Sequence, residues 1–163
     1  MNFSGVKKIS LEQGKRILKV CTNTDLPDTE RISQCIKIYS GAGDREIVNA
    51  NANHLRAVYL QILRLILPEN ILPLKQSFIH TQVKLYELDL DAAAEDNPCE
   101  GIPEDIEDHL ARYCIRYRNE GHGFKWEEVT DYDIVSRDLK TAAWRDVIQC
   151  YWYLKERTKE PAE

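Results

Sequence analysis

The chain has 163 residues, 43% of them hydrophobic and 30% charged, with a formal net charge of -5. This composition excludes a disordered chain, no run reaches the roughly 18 apolar residues of a membrane span, and the length suits one domain burying about 70% of its unfolded surface. Met1 to Lys8 lacks the apolar core of a secretory signal, so a cytoplasmic location is expected.

Helical periodicity recurs along the chain. Ser10-Leu-Glu-Gln13 has the form of a capping box and opens a helix to about Thr22, with Leu11, Ile17, Leu18 and Cys21 apolar. A second helix runs from about Pro27 to Tyr39, and Gly41-Ala-Gly43 ends it, because glycine accepts the left-handed backbone of a helix C-terminus. Asp44 then caps a third helix, whose Val48, Ala52, Leu55, Tyr59, Ile62 and Ile66 alternate three- and four-residue steps until Pro68 stops it. Its last turns are apolar on most sides, which suits a central helix or an oligomer interface.

The next stretch favours a helix from about Pro73 to Ala93, with a short strand over Gln82–Leu90 as the alternative, since strict alternation fails there. Breakers mark a loop over Glu95–Gly101. A fifth helix is expected after Pro103, with Ile106, Leu110, Cys114 and Tyr117 on its apolar face and Gly121 closing it. A last helix begins near Asp131 and carries Ile134 through Leu154. The expected architecture is all-α: a single compact domain of five to seven helices over residues 1–157, with 158–163 a frayed tail.

Charge is unevenly spread. Leu85 to Ala111 holds ten acids and no lysine or arginine, whereas Met1 to Lys84 has twelve bases against seven acids. Such a band can dock a basic partner, solvate a loop or oppose a helix dipole. Glu104, Asp105, Glu107 and Asp108 are its candidate docking residues, and Trp144 and Trp152, off the main apolar stripe of the last helix, are candidate contact aromatics. Together they point to a small adaptor, inhibitor or subunit whose partner is a protein with a basic surface, or a second copy of the chain.

The competing reading is nucleic-acid binding or RNA processing by the turn Arg116 to Trp126, through Arg116, Arg118, Lys125 and Trp126, with Arg118 and His122 as the catalytic pair. Lys7, Lys8, Lys15, Arg16 and Lys19 add a basic cluster that can touch phosphate. An arginine ahead of a histidine invites comparison with the HEPN superfamily of helical ribonucleases. Membership does not follow: His122 comes one residue too early after Arg118, and Arg116 is followed by Tyr117 instead of the usual polar residue.

No phosphate-binding glycine loop, nucleophile elbow, calcium loop or paired-histidine motif is present, so neither a cofactor nor a metal is expected. The five cysteines are odd in number and lack CxxC spacing. They read as reduced thiols, four of them in or beside apolar helical stripes.

Overall fold

The computed structural model describes residues 8–73, 78–80, 83–85, 102–119, 124–128 and 132–159. It is mostly helical. Among the described residues the α-helices are α1 (Leu11–Cys21), α2 (Asp28–Ser40), α3 (Asp44–Asn49), α4 (Ala52–Ile66), α5 (Ile106–Ala111), α6 (Tyr132–Lys140) and α7 (Trp144–Lys159), with a 3-10 turn at Pro68–Asn70. The strands are β1 (Phe78–His80), β2 (Val83–Leu85), β3 (Cys114–Asn119) and β4 (Phe124–Glu128). They form one antiparallel sheet in chain order.

The caps read at Ser10, Gly41 and Pro68 are in place, whereas Asp44, read as a cap, is the first residue of α3, and Gly43 before it makes no side-chain cap. The Ser10 side chain accepts from the Gln13 amide at 3.2 Å, and Gln13 Oε1 accepts from the Ser10 amide at 3.2 Å. Gly41 takes φ 72°, a conformation that glycine adopts without a Cβ penalty. Leu67, just before Pro68, is extended and ends α4.

Two expected helices are each divided. The pattern from Asp44 to Ile66 breaks at Ala50, whose ψ of 151° is extended, and Asn51 recaps the chain by accepting from the Asn53 amide at 2.8 Å. The pattern from Asp131 onward breaks at Thr141–Ala143, where the incoming N-terminal segment docks. Leu11 donates its amide to Ala142 at 2.8 Å, Trp144 donates its own to Ile9 at 2.8 Å, and Ser10 bridges Ala143. These bonds take up backbone groups that a continuous helix would have paired internally.

The domain is mostly helical, as expected, with seven α-helices among the described residues, and a small four-stranded sheet is added to them. The favoured helix over Pro73–Ala93 gives way to β1 and β2, and the short strand held as the alternative is found at Val83–Leu85. The fifth helix is also shorter than expected. It ends at Ala111, and Cys114 to Asn119, expected to continue it, form the strand β3. Ile106, Leu110 and Cys114 are all buried, so the helical spacing did mark inward positions, but the aromatic and β-branched run Tyr113-Cys-Ile-Arg-Tyr117 suits a pleated surface better. Cys114 Sγ lies 3.1 Å from the Leu110 carbonyl and marks the change of conformation.

Side chains from Ile9 to Leu154, including Val83 of the sheet, join one hydrophobic cluster. Leu11, Ile17, Ile36, Ile66, Val135, Leu139 and Ile148 are fully enclosed, each burial contributing about 1.5–3 kcal/mol. Trp144 lies at its centre, 1% exposed, and donates from Nε1 to the Ile66 carbonyl at 3.0 Å. α1 approaches it through Gly14, where a Cβ would come within 2.3 Å of the indole. No helix among the described residues is long and apolar enough to cross a membrane.

Candidate functional site

The acid cluster at the start of α5 is divided by its surroundings. Glu107 is buried and forms an ion pair with Lys15 of α1. Asp108 accepts from Ser136 Oγ of α6 at 2.6 Å. Glu104 and Asp105 remain exposed, with Asp105 Oδ1 3.4 Å from His109 Nε2 one helical turn on. Part of the acidic band thus binds α5 to α1 and α6. The basic cluster of α1 is drawn into the same arrangement: Lys15, Arg16 and Lys19 line, with Glu12 and Glu104, an open groove of about 460 Å³. The basic cluster and the acidic band, far apart in sequence, meet here.

Trp144, expected as a contact aromatic, is instead core. The physical reason is helical phase, because the break at 141–143 makes Trp144 the first residue of a new helix, in line with the buried Val147, Ile148 and Tyr151. Trp152 is half-buried, its Nε1 donating to the Pro68 carbonyl at 2.9 Å. Lys155 Nζ stands 5.2 Å from the ring centroids of both Tyr151 and Trp152.

The basic and aromatic residues of the nucleic-acid reading fall on the β3–β4 hairpin. Arg118 pairs with Lys125 in register, and Tyr117 with Trp126. Arg116 is half-buried and directs Nε to Asp138 Oδ2 of α6 at 3.1 Å, so its charge already has an acidic partner. His122 lies outside the described residues, as do Cys99 and the acids from Glu87 to Glu100.

The described cysteines are free thiols: Cys35, Cys114 and Cys150 are buried and Cys21 is half-buried. Burial pushes the thiols of Cys35 and Cys150 up to about 12 and that of Cys114 higher still. No thiolate is held ready as a nucleophile at these positions. Among the described residues no group of three or more histidine, cysteine or carboxylate side chains is placed to hold a metal ion.

Two features were missed from the sequence. α4 buries Val58, Ile62 and Ile66, but leaves Leu60 57% exposed on a face that also carries Arg56 and Ala57. A second groove, of about 450 Å³, runs between the C-terminal end of α4 and the start of α7, with Trp144 in its wall and Gln149 lining it. The available signal was Gln149 itself, an amide set among Val147, Ile148 and Cys150.

Compared with family models, with curated proteins and with solved structures, the chain matches none.

Proposed function

We propose that this chain acts by protein–protein contact, as an adaptor, inhibitor or small subunit. The observation that supports this most directly is Leu60. It is a large apolar side chain left mostly in water at mid-helix, opposite a face that already supplies the core. An aliphatic side chain flanked by exposed polar neighbours suits the centre of a modest interface. Glu104 and Asp105 form the second contact element and favour a partner with basic character, while half-buried Trp152 is a candidate anchor. Self-association through α4 is the simplest form of such an interface. The free, buried thiols support a reducing compartment such as the cytoplasm.

Sedimentation velocity over a range of concentrations, with cross-linked capture from the host lysate after nuclease treatment, tests this reading. Leu60→Glu is expected to abolish self-association or partner capture while leaving the circular dichroism spectrum unchanged. Glu104→Gln with Asp105→Asn is expected to weaken partner capture and flatten its salt dependence. A strictly monomeric chain that captures no protein, or captures only nucleic acid, would refute it.

A further inference from the structure

The groove beside Trp144 has the chemistry of an anion site. Three cations line it: Lys8, Arg64 near the end of α4, and Arg145 in the first turn of α7. None of the three has an ion-pair partner among the described residues. Asp146 is the one acid in the lining, so the groove keeps a local excess of positive charge within a chain of net charge -5. The positive end of the α7 dipole adds to it.

Gln149 supplies a second and independent indication. It lies one turn beyond Arg145 on α7, is 4% exposed, and has no hydrogen-bond partner among the described residues. Its amide is not a fully enclosed orphan: the polar atoms keep contact with the groove. Here it lines the groove, where a bound molecule can satisfy it. The remaining wall is mostly apolar, with Leu65, Ile71 and Leu72, the last 72% exposed, beside the polar Asn70. A volume of about 450 Å³ falls within the range of small-molecule sites.

We infer that this groove binds a small amphipathic anion, a carboxylate or phosphate head on a short apolar body. The head lies against Arg145, Arg64 and Lys8, Gln149 donates to it from its amide nitrogen, and the body covers Leu65, Ile71 and Leu72. Arginine forks suit either head group.

Isothermal titration calorimetry of the full chain at low salt, with hexyl phosphate, hexanoate, inorganic phosphate and hexanol, tests the inference. Hexyl phosphate or hexanoate is expected to bind one-to-one, at least tenfold tighter than inorganic phosphate and hexanol, and the tighter of the two identifies the head group. Arg145→Ala and Gln149→Leu are each expected to weaken that binding at least fivefold. Gln149→Glu keeps the size of the side chain and opposes the anion, so it is expected to weaken binding even if the leucine variant does not fold. Three outcomes would overturn the inference: no saturable binding by hexyl phosphate or hexanoate, inorganic phosphate binding as tightly as hexyl phosphate, or affinity unmoved by both Arg145→Ala and Gln149→Glu.

Discussion

Gly14 shows how much one missing side chain can decide. In the middle of a helix, alanine normally outperforms glycine by roughly 0.5–1 kcal/mol through backbone entropy. In α1 the indole of Trp144 occupies the space a Cβ would need, at 2.3 Å, and that indole is buried and tied to Ile66. Gly14→Ala is therefore expected to destabilise the chain by about 1–3 kcal/mol, the usual range for an overpacked core, measured as a lower urea midpoint. Nothing in the order of residues announced this contact, because the partners come from opposite ends of the chain. Glu107 was illegible for the same reason. Its charge was plain in the sequence, but the Lys15 that takes it inside comes from α1.

Among the elements, those set by local chemistry were legible and those set by distant pairing were not. The Ser10–Gln13 box, the Gly41 terminus and the Pro68 stop each act within a few residues, and each is where the sequence placed it. β1, β2 and β3 hold together through partners across the sheet, such as Val83 opposite Arg116, a relation that local spacing does not carry. Helical periodicity even misled over Cys114, since a position can face inward from a strand as well as from a helix. Asn51 is the instructive intermediate. It lies inside a convincing apolar stripe, yet its side chain caps a new helix where α3 has just ended. Asn51→Ala is expected to cost about 1 kcal/mol in thermal or urea unfolding. Asn51→Ser, which keeps a capping oxygen, is expected to restore most of that loss.

For the whole molecule, the buried thiols set an alkaline limit. Cys35 and Cys150 have folded-state values raised from 9.0 to about 12 by burial, so above pH 9 the unfolded chain releases protons that the folded chain retains. Their contribution is intact below pH 9 and declines as pH rises toward about 12. Urea midpoints measured from pH 8 to 11 are expected to fall across that window, and to fall less when Cys35 and Cys150 are both replaced by alanine. A helical domain with one hydrophobic cluster was legible in composition and period. The candidate groove was not, because Lys8, Arg64 and Arg145 meet only after folding. The docking of Ile9–Leu11 between α6 and α7 has a consequence in time as well as in space. Ser10 and Ala143 lie about 130 residues apart, so the bridge between them is a contact of the slow, non-local kind. During synthesis, α1 can pack on α2 as soon as that helix emerges, as at Ile17 and Cys35, but its Gly14 side waits for the Trp144 helix. A nascent chain halted before residue 144 would leave the Gly14 side of α1 uncovered and open to a chaperone.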